Sequence, residues 1–82
     1  MVRYYFHVRD GTVLLRDEEG EELPDLEAAR AHAVECARDI LSEAALSGKA
    51  ASLNLKIEVA DKLGPTGLVV PVGHAEGTDT QI

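Results

Sequence analysis

Carboxylates dominate the chemistry that this chain of 82 residues offers. The run Asp17-Glu18-Glu19-Gly20-Glu21-Glu22 supplies oxygen ligands of the kind a hard cation takes. A calcium loop of the EF-hand type, however, needs ligands at alternate positions, a glycine at the sixth and a bidentate Glu at the twelfth. Gly20 is only fourth from Asp17, so the run reads as a solvated loop that also keeps the end of a preceding hairpin soluble. His32 and Cys36 stand four residues apart, within reach of one metal ion if both lie on a helix. Cys36 falls on the apolar stripe of that helix, and His7 and His74 belong to an outward strand position and to the C-terminal tail. The pair therefore reads as a buried small thiol beside a boundary histidine, with no metal and no cofactor expected. Ser42, Ser47 and Ser52 lie in or just after the helical segment, away from any strand-to-helix elbow that would expose a nucleophile. Gly64, Gly67 and Gly73 lead into no helix and cannot form a phosphate-cradling loop. A domain this small offers little volume for a closed pocket, so neither an enzyme nor a small-molecule substrate is expected.

The elements that would position these residues follow from the spacing of apolar side chains. Residues 2–9, VRYYFHVR, alternate: Tyr4, Phe6 and Val8 on one face, Arg3, Tyr5, His7 and Arg9 on the other. Asp10-Gly11 then favours a two-residue hairpin turn. That turn sets Val8 opposite Val13 and Phe6 opposite Leu15, and on the reverse face His7 opposite Leu14 and Tyr5 opposite Arg16. After the acidic loop, Leu26, Ala29, Ala33, Cys36, Ala37, Ile40, Leu41 and Ala44 recur at helical spacing, with Asp25 as N-cap and Gly48 as the stop. Leu53, Leu55, Ile57 and Val59 alternate inward in a third strand, with Asn54, Lys56 and Glu58 outward. Taking Asp61-Lys62-Leu63-Gly64 as the connection sets Ile57 opposite Leu68, Leu55 opposite Val70 and Leu53 opposite Val72. Pro71 then falls on the outward set of a fourth strand, where an edge position suits its missing N–H.

The expected fold is α+β of ββαββ order: a four-stranded antiparallel sheet in strand order 2-1-3-4, with one helix packed on one face. Residues 1–72 form the single domain, and the aperiodic tail 73–82 is expected to be disordered. The composition, 45% hydrophobic and 28% charged, is that of a folded domain. No apolar run reaches the roughly 20 residues that span a bilayer, and the N-terminus lacks the apolar core of a signal peptide. A cytoplasmic location without membrane contact is the default, and one cysteine fits a reducing compartment. The net charge of −7 is concentrated. Asp17, Glu18, Glu19, Glu21, Glu22, Asp25 and Glu27 include no intervening Lys or Arg and match the whole of it.

Three blocks, RYYFHVRDG, the D-x-E-G at Asp17 to Gly20, and LPDLEAARAHA, together resemble a family of short bacterial proteins, abundant in rhizobia and their relatives, whose domain has no assigned function. The resemblance covers roughly residues 2–72. It implies a small ββαββ domain and carries over no activity. The segment DKLGPTGLVVPV departs from the family's pattern in its Gly and Pro content, which bears on the limits of the fourth strand.

With one helix, one sheet face stays open. The registers place Arg3, Tyr5, His7 and Arg9 there from the first strand, Leu14 and Arg16 from the second, Asn54, Lys56 and Glu58 from the third, and Val69 and Pro71 from the fourth. Arg3, Arg9, Arg16 and Lys56 are half of the eight basic residues of the chain. The candidate binding residues are thus Arg3, Tyr5, His7, Arg9, Leu14, Arg16, Lys56 and Val69. Apart from a plain solvated sheet face with Arg stems covering apolar surface, they fit protein association. In that reading Tyr5, Leu14, Val69 and Pro71 form an apolar centre inside a cationic rim, joining a homodimer or another protein partner. The alternative is a nucleic-acid-binding or antitoxin-like regulatory module. Its strand-to-helix transition near PDL resembles small antitoxins of the HicB kind, but only Tyr5 is available to stack on a base and the net charge opposes it, so nucleic acid is the less favoured partner.

Overall fold

The computed structural model describes residues 1–46 and 55–72. They form β1 (Val2–Asp10), β2 (Val13–Leu15), β3 (Glu21–Leu23), α1 (Leu26–Leu46), β4 (Leu55–Asp61) and β5 (Gly64–Val72). The architecture is α+β, one helix on an antiparallel sheet, and the sheet has five strands where four were expected. The path β2-β1-β4-β5 matches the expected neighbours, and the added strand β3 pairs with the N-terminal half of β1. Expectations for Leu53, Asn54, the Gly48 stop, Ser47, Ser52, His74 and the 73–82 tail lie outside the described residues.

The core faces follow from the alternation in β1. Tyr4 and Phe6 are buried with Ile57, Val59, Leu68, Val70 and Val72 beneath a row of alanines, Ala29, Ala33 and Ala37. These alanines are spaced by four and lie on one face of α1, letting the helix sit close to the sheet. Asp25 caps the helix: its carboxylate accepts from the Ala28 N–H at 2.9 Å and its carbonyl from the Ala29 N–H at 3.1 Å. The helix lies chiefly across β5 and β4. Val13 and Leu15 of β2, although on the helix side, therefore remain 55% and 59% exposed. Leu26, expected in the core, lies in the first turn of α1 and is also exposed.

The first hairpin corrects the expected register. Asp10 pairs with Val13, Arg9 with Leu14 and Val8 with Leu15, so the turn is Gly11-Thr12 rather than Asp10-Gly11. A turn on Asp10-Gly11 needs positive φ at both residues. Among the described residues no non-glycine has positive φ; Gly11 at +63° takes the first turn position and Asp10 stays in the strand. Moving the turn by one residue changes each pairing by two, so Val13 and Leu15 stay on the helix side and Leu14 on the open side. The expected pairs Phe6 with Leu15, His7 with Leu14 and Tyr5 with Arg16 are replaced.

The second hairpin shows the same parity by another route. Near the turn Asp61 pairs with Gly64 and Ala60 with Pro65, as the four-residue connection predicts. Beyond it a bulge intervenes, and Glu58 pairs with Val69, Ile57 with Val70 and Leu55 with Val72, in place of Ile57 with Leu68 and Leu55 with Val70. Two extra residues of β5 are absorbed at Thr66-Gly67-Leu68. The Thr66 hydroxyl donates to the Val59 carbonyl at 2.8 Å and accepts from the Leu68 N–H at 3.2 Å, providing partners within the interrupted ladder. Pro71 remains outward, on the terminal strand of the sheet path.

Between β2 and β3 the outer edge of β1 is closed by Asp17 rather than by backbone. One carboxylate oxygen accepts from the Phe6 N–H at 3.0 Å, and the other accepts from Glu19 and Gly20 N–H, each at 3.2 Å. The expectation that the whole acidic run is solvated thus fails at Asp17, which is half-buried and substitutes for a ladder partner. Gly20 completes the turn at φ +74°, and a Cβ there would lie 2.8 Å from the Tyr4 carbonyl oxygen and 2.9 Å from the Arg3 side chain. Both backbone conformation and space exclude a side chain. Replacing Gly20 with Ala is expected to cost at least about 1–2 kcal/mol, lowering the melting temperature by roughly 4–8 °C per kcal/mol; thermal unfolding followed by circular dichroism measures it, and an unchanged midpoint would show that the loop is not held as described.

Candidate interaction face

Alternation in β1 sends Tyr5, His7 and Arg9 away from the helix, and the pairing of Arg9 with Leu14 brings β2 onto the same side. From β4 come Glu58 and Ala60, and the Lys62-Leu63 turn stands at the rim. Together they bound an open groove of about 670 Å³ on the helix-free face. Five of the eight residues singled out from sequence, Tyr5, His7, Arg9, Leu14 and Arg16, line this one groove. Arg3 instead lines an adjoining depression with Met1, Val2 and Glu22, separated from the first by the shared Tyr5 and Leu63. Lys56 and Val69 lie on the same sheet beyond the groove. Val69, 47% exposed, pairs across from Glu58, and Lys56 lies between Arg9 and Pro71.

The groove floor is ordered by contacts within it. The Tyr5 and His7 rings are nearly parallel, 10° apart in plane with centroids 6.3 Å apart. His7 is fixed from the other side, because its Nδ1 accepts the Asp17 backbone N–H at 2.9 Å. That bond places the proton of neutral His7 on Nε2. The edge-closing loop and the groove floor therefore share one residue pair.

Two of the four cations expected from sequence, Arg3 and Arg9, are neutralised by ion pairs. Arg9 grips Glu58 with two hydrogen bonds, Nε to Oε2 at 2.9 Å and Nη2 to Oε1 at 3.3 Å. Arg3 donates to the Glu22 carboxylate at 3.1 Å and to the Glu19 carbonyl. The sequence expectation counted one mid-strand acid on this face; β3, unforeseen, brings Glu22 onto it as a second. Hydrogen bonding from Arg9 holds the Glu58 carboxyl below the usual carboxylate range against its slight desolvation, with Arg9, Lys56 and His7 adding charge effects in the same direction, and Glu58 in turn raises Arg9.

Among the lining residues absent from the sequence expectation are Lys62 and Leu63 on the groove wall and Asp17 and Glu18 at its end. Leu63 carried a readable signal, an apolar side chain at a turn where polar residues are the rule. Asp17 carried none apart from its place in the D-x-E-G block, since its role depends on the gap between β2 and β3.

His7 and His32 lie on opposite faces of the sheet. The His32 ring contacts Phe6 on the helix side with centroids 4.6 Å apart, beside half-buried Cys36. Burial, reinforced by Asp39, Asp17, Glu35 and Glu21, raises the Cys36 thiol above its ordinary value. Among the described residues no group of three or more His, Cys, Asp or Glu side chains is placed to hold a metal ion, and no helix is long and apolar enough to cross a membrane.

Partial burial opposes ionisation of Asp17, but the Phe6, Gly20 and Glu19 N–H groups and nearby His7 outweigh it and hold its carboxyl below the usual range. A depressed carboxyl contributes stability that is complete above the unfolded-state value, near about 3.9, and fades as pH falls through the folded value. The stability difference between the native chain and Asp17→Asn, measured by urea unfolding, is therefore expected to be constant from neutral pH down to roughly 4 and to shrink below it; a difference that grows on acidification would contradict the assignment.

Comparison with known proteins places this geometry in a family without assigning it an activity. No curated protein matches the chain, and no solved structure matches it. A family profile described as a domain of unknown function, DUF6894, matches residues 3–73 and so takes in the helix, the open face and the described strands except Val2 at the start of β1. The chain belongs to the DUF6894 family.

Proposed function

We propose that this chain is a non-enzymatic association module that joins copies of itself through the open face of its sheet. The observation that carries the reading is the groove: Tyr5, His7, Leu14 and Ala60 form a partly apolar floor, with charged groups around it and no described element of the chain across it. Tyr and Arg beside an apolar centre are the residue types that anchor interfaces. A small domain also gains buried apolar area by pairing faces. The groove is open rather than enclosed, and among the described residues no nucleophile with an adjacent base converges on it, which supports binding over catalysis.

Engagement of Arg3 with Glu22 and of Arg9 with Glu58 weighs against the nucleic-acid alternative, as does the run of exposed carboxylates from Glu18 to Glu22 beside the face. Sedimentation of the purified chain over a range reaching tens of micromolar is expected to show concentration-dependent association that Tyr5→Ala weakens. A monomer throughout, unchanged by Tyr5→Ala, would overturn the proposal. Titration with a labelled single-stranded oligonucleotide at low salt is expected to show no binding; binding that weakens steeply with salt and is lost with Tyr5→Ala would put the nucleic-acid reading in its place.

A further inference from the structure

We infer that the groove on the open face receives the Lys62-Leu63 hairpin tip of a second copy of this chain, inserted reciprocally about a two-fold axis. The inference rests on the association reading and specifies its contact. Leu63 is 92% exposed, so its side chain buries almost nothing in its own chain. Yet the tip is held in place: Asp61 pairs with Gly64 beneath it, and the Asp61 carboxylate accepts the Leu63 N–H at 2.9 Å. A leucine presented on an ordered two-residue turn loses little conformational freedom when it docks.

The tip and the groove have complementary chemistry. On the far side from the tip, the groove ends at the β2-to-β3 loop, where Glu18 is exposed. A tip entering from a second copy brings Leu63 onto the Tyr5, His7 and Leu14 floor and Lys62 toward Glu18. The groove's charges are also mixed: it carries Arg9, Arg16 and Lys62 among Asp17, Glu18, Glu58 and Asp61. A strongly acidic or a strongly basic partner would meet like charge from three or four of these seven groups. A face that must match itself requires this mixture, because under a two-fold axis each cation can meet the carboxylate that its own copy presents elsewhere.

The test uses the full chain and sedimentation at moderate salt for the native sequence, Tyr5→Ala, Leu63→Asp, Lys62→Glu, Glu18→Lys and the double variant Lys62→Glu with Glu18→Lys. All except Tyr5→Ala alter exposed side chains, and thermal unfolding confirms that each variant remains folded. Leu63→Asp is expected to raise the dimer dissociation constant roughly tenfold or more. Each single charge reversal is expected to weaken the dimer and the double reversal to restore it, since both reciprocal contacts are remade. A dimer weakened by Tyr5→Ala but indifferent to Leu63→Asp and to the charge reversals would overturn this contact while leaving association through the open face intact. A native chain that stays monomeric would remove both.

Discussion

The carboxylate of Asp17 against the Phe6 N–H is the contact on which the arrangement turns. β1 needs a partner along its whole outer edge, but β2 covers only its last three residues, Val8–Asp10, and β3 only its first three, Val2–Tyr4. A side chain fills the interval, and in doing so fixes where the chain re-enters the sheet as β3. From that point Leu23 packs against the core, and the chain passes through Pro24 to the Asp25 cap and the helix. The backbone N–H of the same residue orients His7 on the opposite face. Core and groove are thus referenced to one position in the acidic segment.

Side-chain alternation is what made most of this fold legible in the sequence. It separated Tyr4 and Phe6 from Tyr5 and His7, and Leu55, Ile57 and Val59 from Lys56 and Glu58, and those assignments agree with the burial of the described residues. The registers were not legible to the same degree. The Asp10-Gly11 dipeptide suggested one turn, whereas the backbone used Gly11-Thr12; the Pro- and Gly-rich fourth strand concealed a bulge. Both differences leave sidedness intact because the offset is two residues. An odd offset in β5 would have placed Val70 and Val72 on the open face, at a hydrophobic cost that the core does not tolerate.

The candidate face was legible in its central strand and less so at its rim. Tyr5, His7, Arg9, Leu14 and Arg16 were placed together by alternation and hairpin pairing alone. Charge was the weaker inference, because counting basic residues on a face ignores acids delivered by elements not yet recognised. Glu22 reaches Arg3 only through β3, a three-residue strand whose sequence, Glu-Glu-Leu, carries almost no strand signal. Glu58 was placed on the face correctly, but its two-point hold on Arg9 is a matter of side-chain geometry that spacing does not encode.

The strand at the end of the sheet path adds a restriction of another kind. β5 is nine residues long and would by length alone be a template for continued sheet growth. Pro65 and Pro71 each remove a backbone donor, and the Gly67 bulge breaks the straight run between them. A further strand could not zip along it without gaps. Such a margin disfavours open-ended fibre growth at that edge.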